Sequence, residues 1–269
     1  MRTRHEKDLA SAGQGAGGGY AASKAPGPRG DDLADDRPEK EVWEERSRIV
    51  LTPVAAPSVL GLFAFGSATL MVASLLAGWW GTPATAAPVL APFALFFGGL
   101  GQLLAAMWSY RARDTLATAM HGTWGSFWLG WGALVLLGGT GLVPAGALES
   151  RAFGFWFIGL AVVTLFGTIA AMTVSVGLFT VLGLLTAGSV LLAIGLIAPV
   201  AWAVAAGGWV LVFSAGAAFY VAGAMLLAAT KGRTILPMGK LDAASNIPGR
   251  RPDDPVGYSG GMPGARVGQ

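Results

Sequence analysis

The stretch "APSVLGLFAFGSATLM", residues 56–71, decides the fold of this chain. Its residues are almost all apolar, Pro57 stands near its start, and Gly61, Phe65 and Thr69 follow one another at intervals of four. Proline suits the first turn of a helix, where its missing N–H would have had no intrahelical acceptor. A spacing of four places side chains on one helical face. The stretch therefore predicts an apolar helix from Pro57 that carries a glycine, a ring and a hydroxyl along one face.

The rest of the composition indicates a membrane domain between two hydrophilic tails. The 269 residues are 54% hydrophobic and 12% charged, whereas soluble domains carry about 25% charged residues. Between Leu51 and Thr230 the charged residues are Arg111, Arg113, Asp114, Glu149 and Arg151. We therefore predict a transmembrane domain over residues 51–239. Residues 1–50 and 240–269, rich in Gly and Pro, are predicted to be disordered tails.

A helix that crosses a bilayer needs about 20 apolar residues. Six stretches of the sequence meet that need: residues 57–79, 88–110, 115–138, 153–172, 176–198 and 204–229. The predicted fold class is therefore an all-α membrane protein with six transmembrane helices per protomer.

The basic residues predict the orientation of these six helices. On one side of a six-span arrangement lie Arg46, Arg48, Arg111, Arg113, Lys231, Arg233 and Lys240. On the other side the basic residue is Arg151. Because basic residues concentrate in cytoplasmic segments, both termini are predicted to be cytoplasmic in a multi-pass protein of the cell (plasma) membrane.

The usual chemistry of enzymes is missing from the sequence. There is no cysteine, so disulfides and thiolate metal sites are excluded. The six stretches contain no Asp, Glu, Lys or Arg in their interiors and no metal or nucleotide motif. The isoelectric point near 9.4 reflects orientation signals rather than a nucleic-acid partner. We therefore predict a protein that is not an enzyme and needs neither metal nor cofactor.

Neutral polar side chains inside the stretches are the candidates for lining a pore. Hydroxyl groups such as that of Thr69 either bond their own helix backbone or line a pore. Gln102 either makes a helix–helix hydrogen bond or lines the pore. Tyr220 belongs to the same polar set. His121 is either an interfacial histidine without a mechanistic role or a group that titrates and is linked to proton movement.

Tryptophans and small residues complete the pattern within the stretches. Trp124, Trp128 and Trp131 form a stripe that is typical of packing or of a lipid-facing surface, with a pore face as the alternative. Glycines recur in the second, third and sixth stretches, and small residues let helix backbones approach closely in lipid. The glycines therefore predict a tightly packed bundle.

Four segments resemble the acetate uptake transporter family, also called succinate–acetate permeases. The family signature is Asn-Pro-Ala-Pro-Leu-Gly-Leu, two variable residues and Phe. Here "APSVLGLFAF" matches it at Pro57, Leu60, Gly61, Leu62 and Phe65. It departs at Ala56, Ser58 and Val59, where the family has Asn, Ala and Pro. The segments "FFGGLGQ", "GSFWL" and "GRTILPMG" follow in the family's order, so the resemblance covers about residues 57–239.

The resemblance implies a six-helix protomer, commonly in a homo-hexamer with a pore through each protomer. It implies transport of acetate and related short carboxylates, often with a proton. A constriction of Phe, Tyr and Leu carries over to Phe65, Trp124 and Leu185, with tryptophan replacing tyrosine and Leu182 one turn from the leucine position. Ala218 corresponds to a small pore-facing residue, although its residue type alone indicates packing.

The sequence thus predicts a transporter or channel for acetate, succinate and related short carboxylates in the lipid bilayer, with proton symport plausible. Gly61, Thr69, Gln102, Ala218 and Tyr220 are predicted to line its pore or bind the solute. The alternative is a membrane scaffold or sensor that packs small-residue helices and transports nothing.

Overall fold

The computed structural model describes residues 54–240 except Ala145. This part of the chain contains six long helices: α1 Pro57–Leu76, α2 Pro83–Ala112, α3 Thr115–Gly139, α4 Arg151–Ala171, α5 Val176–Ile197 and α6 Ala201–Lys231. No strand occurs in it, and one isolated antiparallel bridge joins Ser175 to Lys240. The predicted tails, Lys240 apart, lie outside the described residues, so their disorder stays a prediction.

A helix lies at each of the six predicted stretches, and the described part of the chain is all-α as predicted. The largest difference in a helix start is at α2, which begins at Pro83 instead of residue 88 because a proline again occupies the first turn. Within the described residues, five helices are long and apolar enough to cross a membrane: α1, α2, α4, α5 and α6. The interior of α3 holds His121 and three tryptophans, which are side chains of low hydropathy.

Local sequence signals set most helix ends. Side-chain oxygens cap α3, α4 and α5 by accepting a hydrogen bond from the backbone N–H three residues further on. The capping residues are Asp114 (2.9 Å), Ser150 (3.2 Å) and Ser175 (3.2 Å). Left-handed backbone conformations end α2 at Arg113 (φ 60°) and α6 at Gly232 (φ 62°). Short turns between the capped helices make each helix antiparallel to the next.

The bundle therefore has two ends, which we name by a residue at each. The Glu149 end holds the α1–α2, α3–α4 and α5–α6 connections. The Arg113 end holds the α2–α3 and α4–α5 connections. Residues 232–240 fold back at the Arg113 end, where the N–H groups of Val176 and Gly177 donate to the carbonyls of Gly239 and Met238, each at 2.9 Å. This segment therefore supplies acceptors for the free N–H groups at the start of α5.

The middle of α2 is not α-helical. Pro88 and Pro92 lie inside its first part, and Ala94–Gly101 then forms a π-helical segment. A proline interrupts the hydrogen-bonding ladder of an α-helix, and wider turns relieve such interruptions. The Gln102 side chain completes the segment, because its Nε2 donates to the Gly98 carbonyl at 2.9 Å. The sequence analysis did not predict this change of helix type.

Several glycines bring helix backbones into contact, as predicted. A Cβ on Gly208 of α6 would lie 2.6 Å from the Ala77 nitrogen at the end of α1. A Cβ on Gly98 of α2 would lie 2.6 Å from the Ala68 Cβ of α1. The prediction is wrong for Gly130, Gly216 and Gly223, where an added Cβ would meet no described atom within 4 Å. Those three glycines face outward from the bundle.

Candidate solute pathway

A cavity of about 510 Å³ lies inside the half of the bundle toward the Glu149 end. Its wall is mostly apolar and comes chiefly from α1, α3, α5 and α6. The lining residues with polar or charged groups are Thr69, Trp124, Trp128, Trp131 and Glu149. Cavities of this size with few polar groups are typical binding sites for small molecules.

The three residues of the predicted constriction are all buried, and two of them line this cavity. The rings of Phe65 and Trp124 meet edge to face, with centroids 6.3 Å apart. Trp124 and Leu185 line the cavity, whereas Phe65 packs behind Trp124. The alternative leucine, Leu182, is buried but does not line the cavity. Their geometry is compatible with a ring, and its role as a size filter stays a prediction.

A hydrogen bond to α4 fixes the Trp124 ring. Its Nε1 donates to the Thr164 hydroxyl at 3.0 Å, and that hydroxyl donates to the Leu160 carbonyl at 2.7 Å. Trp124 therefore presents a ring surface to the cavity, because its N–H is already used. The sequence analysis did not place Thr164 at the site, since the contact joins residues 40 positions apart.

The tryptophan stripe of α3 faces inward. Trp124, Trp128 and Trp131 are buried and all line the cavity. Phe127 packs between them and α4, with its ring centroid 5.6 Å from that of Phe157. The prediction that the stripe faces the lipid is therefore wrong, whereas packing and a pore face both remain compatible with its position. These large rings hold the surrounding helices apart and form much of the cavity wall.

Two polar groups on this wall have no hydrogen-bond partner among the described residues. They are the Thr69 hydroxyl and the Trp128 indole N–H, and both side chains are 3% exposed. Buried polar groups are nearly always paired, so two such groups in one cavity are unusual. Thr69 is on the helical face predicted to meet the solute.

The other predicted pore residues lie outside this cavity. Gly61 packs against His121 so closely that a Cβ would overlap the imidazole ring, and His121 is buried. Gln102 and Ala218 are fully buried. Tyr220 is 44% exposed, and its hydroxyl donates to the Pro237 carbonyl at 2.8 Å. The Tyr220 hydroxyl thus fastens the segment after α6.

Apolar helices of membrane length around an interior cavity define a multi-pass membrane protein of the transporter or channel class. Residues 44–242 match the GPR1/FUN34/yaaH family. The match spans most of the chain, so the chain belongs to this family, and the resemblance stated above is confirmed.

Relatives with named activities match over the same part of the chain. The chain is 30% identical over 191 residues to the succinate-acetate/proton symporter SatP of Escherichia coli (strain K12), across 70% of this chain and 97% of that protein. It is 26% identical over 197 residues to acetate permease A of Emericella nidulans, across 68% of this chain and 65% of that protein. A solved structure of the bacterial acetate channel SatP matches with a TM-score of 0.65 at 29% identity, across 70% of this chain and 100% of that chain.

Proposed function

We propose that this protein carries acetate and related short carboxylates, succinate among them, across the membrane. The observation that carries the proposal is the apolar cavity bounded by Trp124 and Leu185, in a chain whose relatives include an acetate channel and a succinate-acetate symporter. The cavity is large enough for a short organic acid, and its sparse polar groups suit a solute that is held weakly and released.

Passage through the level of Phe65, Trp124 and Leu185 is the selective step. An anionic carboxylate loses hydration there, and burying an unpaired charge is costly. Movement of a proton with the solute lowers that cost, which favours proton symport over passage of the bare anion. His121, buried on the far side of this level, is the candidate for a proton-linked group. Gly61, Gln102 and Ala218 would then meet the solute when that half of the bundle opens.

The topology proposed is six transmembrane helices with both termini in the cytoplasm. Described basic residues at the Arg113 end are Arg111, Arg113, Lys231, Arg233 and Lys240, against Arg151 at the Glu149 end. Basic residues favour the cytoplasmic side. The polar and aromatic face of α3 is covered by the other helices, so this helix can cross the membrane with a lower hydropathy.

We further propose that residues 51–239 form the transport domain of a homo-oligomer, a hexamer by the family resemblance, in the plasma membrane. Large apolar side chains cover the outer surface of the bundle, among them Phe96 and Trp108 of α2 and Phe166 of α4. Extended apolar surfaces face lipid or another protomer in membrane proteins.

Uptake of radiolabelled acetate by proteoliposomes tests this function. We expect uptake above that of empty liposomes, and we expect Leu185→Trp to abolish it by filling the boundary of the cavity. Leu165→Trp is the matched control, because Leu165 is exposed on the outer face of α4. Absence of uptake by a well-folded protein would favour a scaffold or sensor.

A further inference from the structure

The Thr69 hydroxyl differs from the other buried hydroxyl groups of the helices. Eight described serine and threonine side chains within the helices donate to the carbonyl four residues earlier, at distances between 2.7 and 2.9 Å: Ser109, Thr118, Ser126, Thr164, Thr168, Thr180, Thr186 and Ser189. Thr69 could bond the Phe65 carbonyl in the same way, yet its Oγ1 has no described partner. Its hydroxyl therefore has hydrogen-bonding capacity that no described residue uses.

The Trp128 indole N–H differs in the same way from those of Trp124 and Trp80. The Trp124 N–H donates to Thr164 at 3.0 Å, and the Trp80 N–H donates to Ser74 at 3.0 Å. The Trp128 N–H is buried and, across residues 54–240, unpaired. An indole nitrogen can only donate. The group that satisfies it must therefore be an acceptor.

The two free groups belong to neighbouring parts of α1 and α3. A Cβ added to Gly98 would lie 2.6 Å from the Ala68 Cβ and 2.8 Å from the Trp128 Cγ. The Trp128 side chain therefore packs beside the residue that precedes Thr69. Thr69 and Trp128 both line the cavity that Trp124 and Leu185 bound.

We propose that the Thr69 hydroxyl and the Trp128 indole N–H together bind the ionised carboxylate of the solute, one donor to each oxygen or both to one. This inference rests on the proposed function and assigns its binding site. A carboxylate accepts hydrogen bonds and donates none, which matches a pair that offers two donors. Hydrogen bonds to an ionised acceptor are also the stronger ones.

The remaining cavity wall fits the rest of such a solute. Around the two donors the lining is apolar, as at Val72, Leu192 and Leu211, and it suits a short alkyl chain. Glu149, at the cavity mouth, is the charged residue of the lining, and its carboxyl group repels an anion instead of holding it. The anion therefore binds at the Thr69 hydroxyl and the Trp128 N–H, away from Glu149 and next to Trp124 and Leu185.

Conservative substitutions test the two donors. Thr69→Val and Trp128→Phe each remove one donor and keep most of the side chain. We expect each to raise the half-saturating acetate concentration for uptake about tenfold, the loss of one hydrogen bond to a charged group. Thr69→Ser keeps the hydroxyl and should stay close to the wild type. Thr180→Val and Trp156→Phe are matched controls, because both residues are exposed outside the cavity and should change nothing.

A measurement without transport separates binding from structure. Acetate should raise the unfolding temperature of the purified wild-type protein, because it binds the folded state, and the rise should shrink in Thr69→Val and Trp128→Phe. Without acetate, Thr69→Val should unfold no earlier than the wild type, since removing an unpaired buried group leaves no partner unsatisfied. A purely structural role predicts the reverse: earlier unfolding with an unchanged half-saturating concentration.

The outcomes for this inference and for the proposed function differ. If the wild type takes up acetate and both variants keep its half-saturating concentration and its thermal response to acetate, the assignment of Thr69 and Trp128 is wrong and the transport function stands. If the wild type takes up no acetate, the transport function fails. The donor pair is then supported by an acetate-dependent rise in unfolding temperature that the two variants lose, and is overturned if no such rise occurs.

Discussion

The two halves of the bundle differ in the side chains that occupy the space between their helices. In the half toward Glu149, the rings of Trp124, Trp128 and Trp131 stand between the helices and bound a cavity. In the half toward Arg113, His121 of α3 fills the space beside Gly61 of α1. The effect of a glycine on the packing of two helices therefore depends on which side chain the glycine meets.

The side chains of α3 on either side of Trp124 also differ in what they contact. Met120, one turn before Trp124, occupies the space beside Gly167 of α4. One turn after Trp124, the rings of Phe127 and Trp128 contact each other, with their centroids 5.1 Å apart. Aromatic rings are large and rigid, so they leave gaps between them that flexible side chains would fill. Trp124 lies between the flexible side chain of Met120 and the rings of Phe127 and Trp128.

The largest expected effect comes from truncating the Trp124 side chain. Trp124→Ala should lower the free energy of unfolding by about 3–5 kcal/mol, as other large-to-small core substitutions do. In the protein that still folds, we expect the ratio of succinate to acetate uptake to rise if the ring at this level limits solute size. Expression, thermal unfolding and uptake of both acids measure this.

Two further variants give this experiment its controls. Trp124→Phe keeps a ring and leaves the Thr164 hydroxyl bonded to the Leu160 carbonyl, so its effect on stability should be smaller. Trp156→Ala removes a ring that is 57% exposed on the outside of α4. An unchanged uptake ratio in folded Trp124→Ala would mean that this tryptophan packs the bundle without filtering the solute.

A second pair of substitutions adds the same bulk to each half of α6. Ala218→Leu enlarges a fully buried position outside the cavity, and we expect a loss of about 1–3 kcal/mol because the packing has no room. Ala205→Leu enlarges a position on the cavity wall, so stability should change less while uptake of larger acids falls. Thermal unfolding and competition between acetate and succinate compare the two. Equal losses of stability would contradict the difference in packing between the two positions.

A third pair tests the contact between α1 and α3. Gly61→Ala places a methyl group against the His121 ring, whereas Gly216→Ala places one where no described atom lies within 4 Å. Alanine favours a helix over glycine by about 1 kcal/mol, so Gly216→Ala should be neutral or stabilising. Gly61→Ala should be about 1–3 kcal/mol less stable than Gly216→Ala. The double variant Gly61→Ala with His121→Ala should recover much of that loss, and an additive result would argue against the contact.

The smallest expected effect concerns the two ends themselves. Glu149→Cys and Arg113→Cys change exposed positions, so each should alter stability by less than about 0.5 kcal/mol. An impermeant thiol reagent applied to intact cells should label the first and not the second. The sequence contains no cysteine, so each variant carries a single thiol. Labelling of both, or of Arg113→Cys alone, would refute the proposed orientation.

Much of the candidate site could be predicted from the sequence, but which of its residues line the cavity could not. Phe65, Trp124 and Leu185 came from the family resemblance; in the structure the rings of Phe65 and Trp124 are in contact, and Trp124 and Leu185 line the cavity. Tyr220 was predicted to line the pore with the other polar residues, yet its hydroxyl donates a hydrogen bond to the Pro237 carbonyl. The free donor of Trp128 gave no signal in the sequence. A hydroxyl or an indole N–H is free or used according to neighbours on other helices, and no local pattern records them.

The sequence by itself determined where the helices lie and what kind of solvent they suit. Apolar runs of membrane length, the proline at residue 57 and the caps at Asp114, Ser150 and Ser175 act within a few residues of the chain, so each can be read locally. Only the tertiary structure decided which faces meet, that Trp124 bonds Thr164, and that a cavity opens beside Trp124. Those features depend on distances between helices, which are set by the summed packing of all six rather than by any one stretch.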